Sequence, residues 1–359
     1  MENTNIDFIG QGRTEGDVAA LFASQGRLDP GSMRPFVGQD GRTYATLYKG
    51  GDPKLPQSYQ SVPLQTNGTL RRDEWKQLDD AILGISRNRL GGIDDLVSNG
   101  LVFSLGNAMG TTVLEYHDIS DAMTANLSMD GVTRGLGDRP VYTTNYLPLP
   151  IIHVDFEINM RVLEVSRRNG NPLDTTSLEA ATRRVLEKLE AMLFTSTTYT
   201  FGGGTIYSYL NHTWRNQLTL QKHWDDVATG EEILEDVRAM KQASIDSMHY
   251  GPWMIYVPTA YETRLDQDYK DNYPKTIRQR IMEIANIKGI KVVDTLPIHN
   301  VLMVQMTTDV VRLVRGMPIQ VIEWQTEGKF VTKYKVITIQ VPQVRADQAH
   351  SSGVVHMSA

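Results

Sequence analysis

Histidines and carboxylates are the residue types that could supply metal or acid–base chemistry in this chain of 359 residues. A helical zinc site places two histidines and a glutamate in the pattern H-E-x-x-H, so that both rings lie on one face. None of the eight histidines has this or another paired-ligand spacing. They are His117, His153, His212, His223, His249, His299, His350 and His356. The chain has no cysteine, which excludes thiolate metal sites and disulfides, and we expect no metal site and no cofactor.

Motifs for nucleophilic or phosphate chemistry are also missing from the sequence. No G-x-S-x-G elbow presents a serine nucleophile. The glycines at 202–204 are not followed by G-K-[ST], so a turn explains them better than a phosphate-binding loop. Glu187 with Glu190, or Asp225 with Asp226, could act as paired carboxylates, but charged residues on helix faces are far more common. We therefore expect no catalytic residue and no enzymatic activity.

Composition narrows the class of protein further. The net charge of −6 and the sequence pI near 5.8 leave no basic surplus of the kind that a dedicated nucleic-acid binder needs. No window approaches the ~18 uninterrupted apolar residues that cross a bilayer, and the first sixteen residues lack the basic start and apolar core of a secretory signal. We expect a folded protein of one large or two ordinary domains, without a membrane span.

The first seventy residues differ in composition from the rest of the chain. Repeated glycine and proline, as in GRLDPGSMRPFVGQDGRTY, oppose both long helices and long strands. The segment still carries many apolar side chains: Phe36, Tyr44, Leu47, Tyr48, Tyr59, Val62 and Leu64. We expect an extended N-terminal arm at 1–70 that lies along another surface, and the alternative is a disordered tail.

Two segments with different character follow the arm. Trp75, Leu78, Ile82 and Ile85 recur at helical spacing and predict an amphipathic helix. From Glu115 to Pro150 the chain is polar, punctuated by glycine and too long for an ordinary connection in a compact domain. Such a loop is usually functional or disordered.

A long strand and a long helix form the clearest pair of elements. Apolar and polar residues alternate from Ile152 to Val162, which predicts a strand with one buried face. An amphipathic helix follows at 174–194, with Thr176 and Glu179 spaced for a capping box.

Helices and strands alternate over residues 225–309 and predict a compact α/β subdomain, whose first helix begins with a second capping-box pair, Thr229 and Glu232. The strands IQVIEW and KYKVITIQV then flank a turn at Gly328 and predict a hairpin. The apolar phase of the second strand shifts at Val336 and Ile337, which indicates a bulge or burial on both faces.

The order of these parts resembles that of the tailed-phage major capsid proteins and encapsulins that share the Hong Kong 97-type fold. The resemblance runs from about Leu70 to Val344 and rests on shared order and spacing, with no single diagnostic motif. The stretches that carry it are DEWKQLDDAI, LPLPIIHVDFEINMRVLEVSRRNGNPLDTTSLEAATRRVLEKLEAMLF, YGPWMIYVPTAYETRL, YPKTIRQRI and IKVVDTLP.

The resemblance implies an α+β, Hong Kong 97-like capsid fold with six parts. They are an N-terminal arm at 1–70, an N-terminal helical segment at 71–114, an extended loop at 115–150, a peripheral domain at 151–224 and 310–347, an inserted axial domain at 225–309 and a C-terminal tail at 348–359. The helix at 175–194 would be the spine of the peripheral domain.

The function that the resemblance implies is that of a major capsid protein. It would self-assemble through pentamers and hexamers into an icosahedral shell around a double-stranded DNA genome, within the virion, after assembly in the bacterial cytoplasm. A cement or scaffold protein and a portal would be its partners, and the DNA would be enclosed without specific binding. An encapsulin-type compartment and another virion structural protein stay open as alternatives, although the seventy residues before Trp75 favour the viral capsid.

The extended loop contains the candidate assembly residues. The loop carries two basic residues, Arg134 and Arg139, and five acidic residues: Glu115, Asp118, Asp121, Asp130 and Asp138. We expect the two arginines to pair with carboxylates of an adjacent subunit, because forked guanidinium groups suit interfacial ion pairs, and simple solvation is the alternative. The loop has no lysine, so the lysine–asparagine cross-link of some relatives is not expected and the contacts should be noncovalent or reinforced by a cement protein.

Overall fold

The structure is a computed structural model of the chain. It describes residues 7–9, 13–15, 35–38, 40, 42–48, 59–64, 74–77, 82, 91–106, 109–119, 129, 142–159, 161, 165, 176–225, 228–270, 274–325, 331–347 and 350–359.

Strands dominate the described part of the chain. They are β1 (Asp7–Ile9), β2 (Arg13–Glu15), β3 (Pro35–Val37), β4 (Thr43–Tyr48), β5 (Tyr59–Leu64), β6 (Val102–Ser104), β7 (Val113–Ile119), β8 (Tyr142–Pro148), β9 (Ile152–Asn159), β10 (Tyr199–Phe201), β11 (Gly204–Ile206), β12 (Asn216–Thr219), β13 (Trp253–Pro258), β14 (Ile287–Val293), β15 (Asn300–Gln305), β16 (Val311–Gln325), β17 (Val331–Val344) and β18 (Val354–Ser358). The helices are α1 (Gly91–Ser98), α2 (Thr176–Phe194), α3 (Gly230–Asp246), α4 (Glu262–Leu265) and α5 (Ile277–Met282), with a 3₁₀ turn at Thr259–Tyr261 and helical residues at 74–77.

A four-stranded sheet in the order β6-β16-β17-β9 forms one half of the core. Strand β9 alternates between half-buried and exposed residues, and it pairs antiparallel with β17, as the alternation from Ile152 predicts. Helix α2 packs its apolar stripe on one face of this sheet, where Leu178 and Val185 meet Tyr334 and Val336. The predicted helix and strand are both confirmed.

Strand β17 is buried on both faces along its second half. Val336 belongs to the cluster under α2, whereas the next residue, Ile337, belongs to a cluster on the opposite face with Ile339 and Val341. The predicted hairpin is confirmed by the pairing of β16 with β17, whose register shifts near Met317. Burial on both faces explains the change of apolar phase that the sequence shows at this point.

A five-stranded sheet in the order β12-β18-β15-β13-β14 forms the other half of the core. All six residues of β13 are buried, since helices cover the sheet. The capping box that Thr229 and Glu232 predict is present at the start of α3, where each side chain accepts from the backbone N–H of the other residue.

The structure differs from the prediction of a C-terminal tail at 348–359. Strand β18 lies inside the five-stranded sheet, parallel to β12 and antiparallel to β15. Val354, Val355 and Met357 are buried there. Residues 354–358 therefore complete the sheet, and β12, which lies within the predicted 151–224 segment, belongs to the same sheet.

A shared apolar cluster joins the two sheets. It contains Leu193 and Phe194 from the end of α2, Leu96 from α1, Tyr256 from β13 and Leu313 from β16. A buried polar contact reinforces the joint.

That contact is centred on the carboxylate of Asp95 in α1. Lys291 Nζ lies 2.6 Å from Oδ1 of Asp95, and the Tyr256 hydroxyl donates to Oδ2 at 3.0 Å. Burial raises the pKa of Asp95, and the two partners oppose this shift because they stabilise the charged carboxylate. The contact fixes α1 against β13 and β14.

The segment before residue 70 contributes a three-stranded sheet in the order β3-β4-β5. Phe36 of β3 is half-buried against the cluster that contains Trp75 and Tyr334. This part of the predicted arm therefore contacts the body of its own chain.

A buried histidine lies at the seam between β12, β18 and β15. Arg215 Nε donates to His356 Nδ1 at 3.2 Å, and His356 Nε2 donates to the Asn300 side-chain oxygen at 2.7 Å. Burial, followed by the positive charge of Arg215, lowers the pKa of His356 from 6.5 to about 4. The ring is therefore neutral in the folded protein at neutral pH.

Acidification should destabilise the chain through His356. The unfolded state binds a proton near pH 6.5 and the folded state near pH 4, so this contribution to stability is complete above pH 6.5 and is lost as the pH falls towards 4. Between pH 7 and 5 we expect His356 alone to contribute a loss of about 2 kcal/mol in the free energy of unfolding, measured by urea denaturation as the difference between the native chain and His356→Gln. His356→Gln should shrink this pH dependence, and His153→Gln on the exposed side of β9 is the control. Equal pH dependence in the His356→Gln variant and the native chain would contradict the prediction.

Candidate functional site

The extended loop predicted at 115–150 begins and ends as a two-stranded antiparallel ribbon. Strands β7 and β8 pair from Val113 opposite Pro148 to Ile119 opposite Tyr142. A two-stranded ribbon is marginally stable by itself in water, so it needs support from another part of the molecule. We call β7 and β8 the ribbon, and its end at Val113 and Pro148 the root.

The root of the ribbon is held in the apolar core. Leu147 and Leu149 are buried in the cluster that also contains Ile339 and Val341 of β17, and Leu114 packs against it. The exposed fraction along β8 falls from 60% at Tyr142 to 3% at Leu147. The ribbon therefore leaves the core at its root and becomes exposed towards its outer end.

The hairpin formed by β10 and β11 also supports the root. A Cβ atom added at Gly204 would lie 2.2 Å from the backbone oxygen of Tyr146, so only glycine allows this approach. Gly202 and Gly203 have φ angles of +58° and +80° and form the turn between the two strands. The prediction that this glycine run is a turn is confirmed.

Exposed aromatic residues accompany the ribbon and this hairpin. Tyr199 and Phe201 are two residues apart on β10, so they point to the same side of the strand, and both are exposed. Tyr142 and Tyr146 are exposed on β8. Several large exposed apolar side chains in one region are typical of protein–protein contact surfaces.

A groove of about 340 Å³ runs beside the root. One side is formed by Tyr116, Thr143 and Asn145 of the ribbon, and the other by Trp214 and His350, whose rings stack at 3.7 Å. We call this the root groove.

His212 lines the root groove and is almost completely buried. Its Nδ1 atom has no hydrogen-bond partner among the described residues. Burial, followed by the charge of Arg215, lowers the pKa of His212 to about 4. The imidazole is therefore neutral at neutral pH, and its Nδ1 atom is buried in the wall of the groove.

The predicted assembly residues fall partly outside the described residues. Glu115 is exposed on β7 opposite Tyr146, and Asp118 pairs through its backbone with Thr143, although its side chain is not described. Arg134, Arg139 and Asp121 lie outside the described residues. Their interface role stays a prediction.

Sequence reasoning missed the aromatic residues and the root groove. The even spacing of Tyr142 and Tyr146, and of Tyr199 and Phe201, places each pair on one side of a strand and could have indicated an exposed aromatic side. The groove had no local signal, because its two sides come from distant parts of the chain: Trp214 lies 69 residues after Asn145, and His350 lies 205 residues after it.

The candidate carboxylates Glu187 and Glu190 make contacts within the chain. Glu187 pairs with Arg184 at 3.0 Å, and Glu190 accepts from the backbone N–H of Gly92 at 3.4 Å. Among the residues that the structure describes, no three histidine, aspartate or glutamate side chains could together hold a metal ion. No helix in the described ranges is long and apolar enough to span a membrane.

Gly204→Ala should loosen the root, because the added methyl group would push β11 away from Tyr146. We expect a loss of about 2 kcal/mol or more in the free energy of unfolding and faster amide hydrogen exchange in β8. Thermal denaturation and hydrogen exchange measure the two effects. Gly106→Ala is the control, since its Cβ would meet nothing within 4 Å. Equal behaviour of the two variants would argue against this account of the root.

Solved structures similar to this chain share its fold. The virus-like particle from Pyrococcus furiosus matches with a TM-score of 0.58 and 17% identity over 79% of this chain and 99% of that chain. The capsid of Myoviridae phage XM1 gives a TM-score of 0.54 and 11% identity over 73% of this chain and 90% of that chain. The capsid of the empty GTA particle gives a TM-score of 0.51 and 9% identity over 74% and 89% of the two chains.

These similarities confirm the predicted fold, which is the α+β, Hong Kong 97-like capsid fold. A comparison of the sequence with curated proteins finds no match. A family model described as "Family of unknown function (DUF6260)" matches residues 65–357. Since this match covers most of the chain, the protein belongs to the DUF6260 family.

Proposed function

We propose that this chain is the major capsid protein of a tailed bacterial virus. It assembles through pentamers and hexamers into an icosahedral shell that encloses a double-stranded DNA genome. The observation that carries the proposal is a ribbon held in the core at its root and exposed at its outer end, within a fold shared with solved capsids. Such a ribbon is suited to reach a second copy of the chain.

The physics of closed shells supports this role. A shell of identical subunits needs heterologous contacts whose rotations close, and each contact is repeated many times. Main-chain pairing along an exposed strand edge gives affinity without a deep pocket. Because ordering a segment costs ~1–2 kcal/mol per residue, the ribbon gains its final structure most favourably when it meets a neighbour. Assembly and ordering are then coupled.

The two sheets take separate roles in this proposal. The four-stranded sheet with α2 as its spine belongs to the peripheral domain at 151–224 and 310–347. The segment 225–309 provides most of the axial domain, which gathers around the fivefold and sixfold axes. Strands β12 and β18 complete its sheet. The N-terminal arm at 1–70 extends the contacts to neighbours.

An encapsulin-type compartment is the second candidate. The similarity to the virus-like particle from Pyrococcus furiosus, which covers 99% of that chain, favours it. The strands β3 to β5, which precede Trp75, favour the viral capsid. In the viral case, a portal and a scaffold or cement protein are partners, and assembly takes place in the bacterial cytoplasm. The net charge of −6 suits a capsid wall that encloses DNA without binding it specifically.

Electron microscopy of the purified recombinant chain tests shell formation. We expect round particles or rings of five and six subunits, because the ribbon needs a neighbouring copy for its outer surface. Nuclease-protected DNA of genome length in particles from the native host identifies a virion, whereas a folded protein cargo identifies a compartment. Tubes or stable monomers would rule out both shell proposals.

Replacing Arg134 and Arg139 together with alanine tests the interface role of the loop. Removing two interfacial guanidinium groups should lower shell yield about tenfold, because each pair supplies on the order of 1 kcal/mol and is repeated in every subunit. Sedimentation gives the yield, and Arg184→Ala on the exposed face of α2 serves as the control. Unchanged yield in the double variant would mean that both arginine side chains are solvated and form no interfacial ion pair.

A further inference from the structure

A half-buried arginine, Arg312, lies near Tyr116 of the ribbon. The guanidinium of Arg312 in β16 lies 4.5 Å from the ring centre of Phe103, and its Nε donates to the Gln343 side-chain oxygen at 2.6 Å. Burial lowers the pKa of Arg312, and the positive charge of nearby Arg345 lowers it further. Arginine nevertheless keeps its proton at physiological pH. The positive charges of Arg312 and Arg345 are therefore close together, and that of Arg312 is partly buried.

Arg312 lacks a counter-charge within the described part of its own chain. No described carboxylate lies within ion-pair distance of it, and its described neighbours are neutral or basic: Phe103, Gln343, Arg345 and Tyr116. Burying a charge without an opposite partner costs free energy, which is recovered when a carboxylate arrives. Phe103 is 39% exposed, so the cluster is open to the surface.

The cluster is continuous with the root groove. Gln343, which accepts from Arg312, lines the groove, and so does Tyr116, whose ring lies 5.9 Å from the Arg345 guanidinium. Within the groove, the stacked pair of Trp214 and His350 presents a flat surface. The lining includes one carboxylate, that of Asp347, whose Oδ1 accepts from the backbone N–H of Ser351 at 2.6 Å. An aromatic groove that adjoins the two arginines Arg312 and Arg345 suits an extended peptide that carries carboxylates.

We propose that Arg312, supported by Arg345, binds an aspartate from the extended loop of a second copy of this chain. The candidate carboxylates are Asp121, Asp130 and Asp138. This inference rests on the proposed shell function, since only an assembly brings the second copy close. The basic partner of this contact is an arginine of β16, and the loop supplies the carboxylate.

Charge and length both favour this occupant. The loop supplies several aspartates within one short stretch of sequence, and Arg312 with Arg345 supplies two positive charges. Twenty-two residues separate Ile119 from Tyr142, and eleven extended residues reach at most about 36 Å at ~3.3 Å each. Each half of this segment can therefore carry an aspartate up to about 36 Å beyond the end of the ribbon.

The absence of cysteine makes a direct cross-linking test possible. One tagged copy carries Arg312→Cys, and a second copy with a different tag carries Asp121→Cys, Asp130→Cys or Asp138→Cys. After co-assembly and mild oxidation, we expect a disulfide between the two tags for at least one aspartate, about tenfold above the level with Arg184→Cys as the control partner. Shells that form without any such cross-link would overturn this inference while leaving the proposed function intact.

A chain that carries both cysteines separates contacts within one copy from contacts between copies. A disulfide within a single chain would place the aspartate on its own root and overturn the inference. Failure of the native chain to form any particle would instead refute the proposed function. The two failures are therefore distinguishable.

Charge reversal gives a second test. Arg312→Glu should lower shell yield about tenfold, Arg312→Lys should retain most of it, and Asp→Arg at the cross-linked position should restore yield in the Arg312→Glu background. Circular dichroism and the melting temperature of the unassembled variants separate a folding defect from an assembly defect. Well-folded Arg312→Glu subunits that assemble like the native chain would also overturn the inference.

Discussion

The structure depends on the burial of the β16–β17 hairpin on both of its faces. Helix α2 covers one face, where Val336 is buried, and the root of the ribbon covers the other, where Ile337 is buried. An uncovered face would leave a row of apolar side chains in water, at roughly 25 cal/mol for each Å². The ribbon is therefore part of the core at one end, and an element suited to assembly also completes the fold.

This arrangement divides the ribbon into two regions with different energetics. Near Leu147 the chain is held by apolar contacts and by the close approach of Gly204, so its direction is fixed before any partner arrives. Towards Tyr142 the ribbon has the marginal stability of two strands alone. In the proposed shell, a fixed root would lower the entropy that a neighbour must remove, and an adaptable outer end would tolerate unequal contacts around the fivefold and sixfold axes.

The sequence predicted the elements whose signals are local. The alternation in β9 and the capping box at Thr229 each depend on residues within one element, and both were predicted correctly. Strand β18 was missed because its partners β12 and β15 lie about 140 and 50 residues away, and only this pairing turns the last residues of the chain into a sheet interior. The same limit applies to Arg312. Its neighbours come from distant segments that only the fold brings together, so the sequence could not indicate that no described carboxylate pairs with it.

Under the proposed shell function, the chain by itself is incomplete in a specific physical sense. Tyr199 and Phe201 leave apolar surface in water, and Arg312 holds a half-buried charge beside another arginine. Each feature costs stability in a free monomer and becomes favourable when a second copy covers it or supplies a carboxylate. Natural domains need only a small net stability, so a chain can keep such features when association recovers their cost. Stability is then shared between the core of each subunit and the contacts among subunits, which is what a container made of many weak, repeated interfaces requires.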